Sequence, residues 1–312
     1  MFCFLALIIF SILGIFSATH RPLAKQALDC VLRRMTFRPC DADFKAKMKN
    51  KILMKLLDRS EIAARIFHKH FELLSWIFFI LIAASSFWVV KGGYNFYLYG
   101  SCDGLNQPGF CAFDPSGENN KITAINSAGI CGAANQDEKK IIPENADFLN
   151  FPSIISESKN TIVFIGCYEC EYSKKAYAEI RELAEKEKTN LIFAHYPAVA
   201  GTSYLSNIAY CAYNQDKEKF WKLNDYLFAS DKTNLQDHGF IAQALEKFGF
   251  NPNEITARAD SDETKAAVAE QLKEIKKTGV YGTPSAFING RVFVGPKPYR
   301  VYKSAIKKFI LF

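Results

Sequence analysis

The residues best placed to do chemistry are Cys167-Tyr168-Glu169-Cys170. Two cysteines three positions apart can close into a disulfide and open into a dithiol, and the thiolate is the species that attacks in disulfide exchange. The pair follows an apolar, β-branched run at 161–165 and precedes a stretch of helical periodicity at about 169–188. It therefore sits where a strand ends and a helix begins, and the unpaired N–H groups and dipole of a helix start favour an anion. This setting predicts Cys167 as the exposed nucleophile. Cys170, one turn into the helix, is predicted to be the more buried, resolving thiol that attacks a mixed disulfide and frees the partner. Half of a zinc site and two inert core cysteines are the competing readings. No second pair with zinc spacing follows, and no metal is expected. Tyr168 and Glu169 are expected to tune the pair, because Glu169, with Glu171 behind it, sets negative charge near Cys167 and opposes its ionisation.

A second constellation is Gly-Val-Tyr-Gly-Thr-Pro at 279–284, just ahead of a strand at 285–288. Pro284 has no N–H for a ladder bond, so regular pairing is interrupted there. A cis bond before Pro284 would present the Thr283 backbone beside Cys167, where an extended peptide could add as a strand; a trans turn is the alternative. Thr283 and Pro284 are thus the substrate-binding candidates. Cys211 shares a helical face with Ile208 and Tyr204 and reads as core, and His195 reads as structural.

The elements that must position these groups run strand, helix, strand (191–194), a helical group (204–213, 218–228, 239–248 and 262–277), a hairpin and a closing helix at about 299–310. The hairpin strands, 285–288 and 291–294, are joined by Asn289-Gly290, a strong two-residue turn signal. This order predicts an α/β fold with a mixed sheet and a helical insertion. No glycine-rich phosphate loop follows the first strand, so a dinucleotide cofactor is not expected.

Upstream, the formal charge of +7 is segregated. Between residues 18 and 71 lie thirteen Lys or Arg against five acids. A basic segment between apolar stretches reads as a determinant of membrane topology, and no nucleic-acid partner is expected. Residues 1–19 and 73–90 carry no charge. At about 1.5 Å per residue each can cross a hydrocarbon core of roughly 30 Å. A cleaved leader is the alternative for the first stretch, which lacks a basic n-region. The expected organisation is a membrane anchor at 1–90 (spans 1–19 and 73–90, basic cytosolic loop 18–71), a loop-rich extracytoplasmic stalk at 91–152, and a catalytic domain at 153–312. The chain would be a multi-pass cell-membrane protein with its C-terminal domain outside the cytoplasm. Cys102 and Cys111 bracket a loop in the stalk and are the favoured structural disulfide, with Cys131 a free thiol or alternative partner. Cys30 and Cys40, on the cytosolic side, are expected to be free thiols.

In motif and element order, residues 153–312 resemble the DsbA-like branch of the thioredoxin superfamily. The resemblance rests on Cys167 to Cys170 after a strand, Tyr196-Pro197 after the second strand, Phe220-Trp221 and Leu227-Phe228 in the inserted helices, and above all residues 279–290. It implies a thioredoxin-like fold, a nucleophilic Cys167, a resolving Cys170, a cis-Pro284 loop that contacts substrate, and no bound cofactor. It also implies protein dithiol or disulfide substrates and a redox-recycling partner. The strongly oxidising members of that branch have His before the resolving cysteine, where this chain has Glu169, which predicts a less oxidising pair. A non-catalytic peptide-binding module on the same fold is the alternative function.

Overall fold

The computed structural model describes residues 21–35, 60–107, 109–124, 131–132, 141–199 and 203–306, with scattered positions before residue 60. The chain divides into two compact units, Met1–Val90 and Lys91–Phe312.

In the first unit, α1 (Arg21–Met35) carries the buried Cys30, which is disulfide-bonded. The expectation of a free thiol rested on compartment alone, which says nothing about which sulfurs meet. Cys40 and the expected span at 1–19 lie outside the described residues, isolated positions apart. Helix α2 (Glu61–Tyr99) departs from helical geometry at His70. Its segment Trp76–Tyr99, 24 residues, is long and apolar enough to cross a membrane. The helix thus runs past residue 90 into the expected stalk. Gly92 and Gly93 weaken helix propensity there. The context overrides this, since the Cys102 side chain lies 3.7 Å from where a Gly92 Cβ would be and Phe96 stacks on Phe113.

In the second unit, the segment expected to be loop-rich contains β1 (Ile122–Ala124) and β2 (Cys131–Gly132), which form an antiparallel pair. A five-stranded sheet follows, built from β3 (Ser153–Ile154), β4 (Thr161–Gly166) and β5 (Asn190–His195), with α3 (Glu171–Glu187) between the last two. The helical group is α4 (Ser203–Gln215), α5 (Lys217–Ala229), α6 (Lys232–Leu235), α7 (His238–Lys247), α8 (Pro252–Ala259) and α9 (Asp262–Lys277). The chain then forms β6 (Gly282–Thr283), the hairpin β7 (Ser285–Ile288) and β8 (Arg291–Val294), and α10 (Tyr299–Ile306). The five-stranded order is β3-β5-β4-β7-β8, with β4 parallel to β5 and antiparallel to β7.

Alternation along β4 divides the core, because successive side chains of a strand leave on opposite faces. Ile162 and Phe164 join the larger cluster, with Tyr177, Ile180 and Leu183 of α3 and much of the helical group. Val163 and Ile165 face a smaller cluster that contains Cys167, Cys170, Tyr196, Ile275, Val280 and Phe287. The inward residues of α3, Ala176, Tyr177, Ile180, Leu183 and Ala184, recur at helical spacing, so one stripe of the helix is apolar. Both faces of β4 are covered, which accounts for its continuous apolar sequence.

Candidate active site

Register brings the site together. Ile165 on β4 pairs with Ser285 on β7, so the residues just beyond each strand end, Cys167 and Pro284, leave the sheet at one edge. Gly166 must be glycine, since a Cβ there would lie 2.5 Å from the Phe164 ring. Cys167, Tyr168 and Glu169 then make a turn closed by the Cys170 N–H on the Cys167 carbonyl, 3.2 Å. Cys170 is the N-cap of α3, and its carbonyl accepts the first helical bond, from Lys174 N–H at 3.0 Å. The resolving candidate therefore stands at the threshold of the helix and not one turn inside it. Ser173 Oγ reaches back to accept the Cys167 N–H at 3.2 Å.

Both thiols are buried and unbonded to each other. The expectation of an exposed Cys167 is not met: the segment after β5 folds over it, held by the Tyr196 N–H on the Gly166 carbonyl at 2.9 Å. Burial raises the Cys167 pKa, opposed by the backbone N–H groups of Glu169, Val199 and Ala198 and reinforced by Cys170. The anion-stabilising groups are present, but desolvation outweighs them. Glu169 acts on Cys167 through its backbone; its buried carboxylate accepts from Gln236 Nε2 at 3.1 Å, and desolvation raises its own pKa.

Thr283 and Pro284 are joined by a cis peptide bond. The sulfur set on the Thr283 carbonyl is that of Cys170, at 3.7 Å. The same sulfur lies 3.0 Å from the Thr123 hydroxyl, brought in by β1, which pairs antiparallel with β6 through Thr123 with Thr283 and Ala124 with Gly282. Thr123 escapes sequence reasoning because its meeting with the pair is made across 47 residues and carries no local signal.

Behind the pair, Tyr168 turns into the core. Its hydroxyl donates to Asn224 Oδ1 at 2.5 Å, and its ring stacks on His195 with centroids 4.5 Å apart. His195 Nδ1 pairs with Ser206 Oγ at 2.6 Å, Nε2 has no partner among the described residues, and burial lowers the pKa to about 3. Cys211 is buried on α4, 3.5 Å from Thr264 Oγ1. Cys102 and Cys111 form a disulfide, S–S 2.06 Å. Cys131 lies in β2, opposite Thr123 in register. Among the described residues, no group of three or more His, Cys, Asp or Glu converges on a metal position.

A mixed five-stranded sheet with its cysteine pair at a strand-to-helix junction beside a cis-proline defines the thioredoxin class. Residues 165–307 match the DSBA-like thioredoxin domain. Among solved structures, the chain is similar to BdbD of Bacillus subtilis at 17% identity, covering 52% of this chain and 94% of that one, with a TM-score of 0.48. It is similar to a thioredoxin-like oxidoreductase of Silicibacter pomeroyi at 21% identity, covering 51% and 92%, with a TM-score of 0.46. The thiol-disulfide exchange protein alpha-DsbA2 of Wolbachia pipientis shows 21% identity, 53% and 90% coverage, and a TM-score of 0.46. Among curated proteins, the Na(+)/H(+) antiporter NhaA of Nitrosospira multiformis is 28% identical over 157 residues, 48% of this chain. The chain spans only 24% of the length of that relative.

Proposed function

We propose that the chain is a membrane-anchored thiol–disulfide oxidoreductase that exchanges disulfides with extracytoplasmic proteins through Cys167 and Cys170. The observation that carries this reading is the meeting of the pair with the Thr283-Pro284 loop at the start of α3, inside a DSBA-like domain. The Cys167 thiolate, held by the N–H groups of Glu169, Ala198 and Val199, attacks a substrate disulfide. One substrate sulfur leaves as a thiolate and the other stays bonded to Cys167. Cys170 then attacks Cys167, releases the second substrate sulfur, and leaves a Cys167–Cys170 disulfide; substrate oxidation is the same sequence reversed. Thr283 and Pro284 hold the peptide, and a recycling partner restores the pair. The raised Cys167 pKa supports a potential less oxidising than that of a pair with a stabilised thiolate.

The apolar helix Trp76–Tyr99, the one candidate span among the described residues, supports an anchor, with residues 1–19 as a second span. The basic segment 18–71 supports its retention in the cytoplasm and a domain on the other side, although the Cys30 disulfide pulls toward an oxidising environment for that segment. The anchor at 1–90, the segment at 91–152 and the domain at 153–312 are the working division.

The test is insulin reduction by the full chain in detergent micelles, alongside Cys167→Ser and Cys170→Ala. Exchange predicts turnover by the parent, none by Cys167→Ser, and a trapped mixed disulfide with Cys170→Ala. Burial of both sulfurs favours the second reading, a peptide-binding module without turnover; a parent that does not reduce insulin, together with no mixed disulfide on Cys170→Ala, would contradict exchange and favour that alternative.

A further inference from the structure

The edge of β6 that leads into Pro284 is already occupied. Ile122, Thr123 and Ala124 lie along it as an antiparallel strand, with Thr123 opposite Thr283, and the Thr123 hydroxyl stands 3.0 Å from the Cys170 sulfur. An extended peptide adding to a free sheet edge would take this course, with backbone pairing for affinity and side-chain pockets for selection. Ile122 and Thr123 are both buried against the domain. Gly282 has no side chain where Ile122 needs the space: a Cβ there would lie 2.5 Å from Ile122 Cδ1 and 3.0 Å from the Thr123 carbonyl oxygen.

The approach to this strand is tied down by groups unrelated to sulfur chemistry. Lys297, buried, donates from Nζ to the Asn119 carbonyl at 2.7 Å and to Asn120 Oδ1. Gly295 leaves room for the Asn120 backbone, which a Cβ would approach to 2.9 Å. Lys175 on α3 pairs with Glu118 at 2.7 Å. Further back, Asn106 bridges the edge of β8, donating to the Val292 carbonyl and accepting from the Val294 N–H, each at 2.8 Å. The tethers hold Asn106 and residues 118–120, while the groove segment itself is three residues long and pairs with the two-residue β6 on the groove side and the two-residue β2 on the other. That combination suits a segment that is always at hand yet held in the groove by few bonds.

We propose that Ile122–Ala124 is a built-in occupant of the peptide groove, and that substrate enters as an extended segment that displaces it. A substrate cysteine then takes the place of Thr123 beside the Cys167–Cys170 pair, and an aliphatic residue before that cysteine takes the place of Ile122 above Gly282. This rests on the groove assigned under Proposed function. It adds a preference, aliphatic residue then cysteine, and an internal competitor that lowers the apparent affinity for every substrate.

The test is fluorescence anisotropy with a labelled peptide, Asn-Lys-Ile-Ser-Ala, whose serine removes all exchange chemistry, on the full chain and its Thr123→Pro variant in micelles. If the segment occupies the groove nine-tenths of the time, the variant binds about tenfold more tightly than the parent. A peptide with Asp in place of Ile binds the variant at least about tenfold more weakly than the Ile peptide does. Affinities that differ by less than about twofold, including no detectable binding to either chain, overturn the proposal. Should Thr123→Pro fail to fold, amide exchange on the parent decides: saturating peptide speeds exchange at Ile122–Ala124, and unchanged protection overturns the proposal. Tighter binding without insulin reduction by the parent would sink the exchange reading alone, and insulin reduction with equal affinities would sink the internal competitor alone.

Discussion

The Tyr168 hydroxyl donates to Asn224 Oδ1 at 2.5 Å, and Asn224 donates from Nδ2 to the Tyr177 hydroxyl at 2.8 Å. All three side chains are buried, so the turn that carries the cysteine pair is fastened to α5 and α3 by a polar chain without access to water. Replacing Asn224 by Leu strips the Tyr168 hydroxyl of its partner, and a buried group left unpaired costs about 1–3 kcal/mol. Asn224→Leu is expected to destabilise the domain by that amount in urea denaturation of the full chain. The loss in Tyr168→Phe/Asn224→Leu should fall short of the sum of the single losses, because both act on one bond.

The stacked His195 makes the same region sensitive to acid. Its pKa is lowered to about 3 in the folded chain, against an ordinary value near 6.5, because burial disfavours the imidazolium. Between those values the unfolded chain binds the proton and the folded chain does not, so stability rises with pH across the window and is lost as pH falls from about 6.5 toward 3. The slope from this one group approaches about 1.4 kcal/mol per pH unit. His195→Phe should remove that part of the acid dependence, measured as urea midpoints from pH 7 to pH 4. Parallel curves for parent and variant would contradict the assignment.

Burial of Cys167 has a kinetic consequence. Desolvation raises its pKa in spite of the three backbone N–H groups around it. Alkylation of Cys167 by iodoacetamide, followed by mass spectrometry across pH, should show an apparent pKa above that of an ordinary thiol, and slow reaction at neutral pH. An apparent pKa below the ordinary value would show that the helix start and the N–H groups prevail over burial. Glu169→Gln should leave the curve nearly unchanged, because the carboxylate is turned to Gln236.

The parts of the fold that local chemistry dictates were legible beforehand. The hairpin was announced by Asn289-Gly290, and both residues have positive φ, 51° and 79°, as the two-residue turn requires. The helices α4, α5, α7 and α9 follow from apolar periodicity. Helix α8 carries a start signal but no visible body: Asn251 caps the N–H groups of Asn253 and Glu254, and Pro252 sits in the first turn. Its eight residues are too few for periodicity to stand out. Strand β1 could not be read, since Ile-Thr-Ala is three residues long and pairs with two strands of two residues each, β2 nearby and β6 about 160 positions away. The cysteine pair was legible from its junction between strand and helix. Its cover was not, because the burial of Cys167 is imposed by the chain after β5 and that of Cys170 includes Thr123.

The central claim, that Cys167 and Cys170 act as one two-electron couple, is tested most directly by equilibrating the full chain with glutathione buffers of graded potential and counting free thiols at both positions after acid quench and alkylation. The account predicts that both thiols disappear together in one transition with a two-electron slope, about 30 mV per tenfold change in the ratio, at a potential more reducing than that of strongly oxidising pairs. Separate transitions for the two sulfurs, or glutathione adducts in place of an internal disulfide, would contradict it.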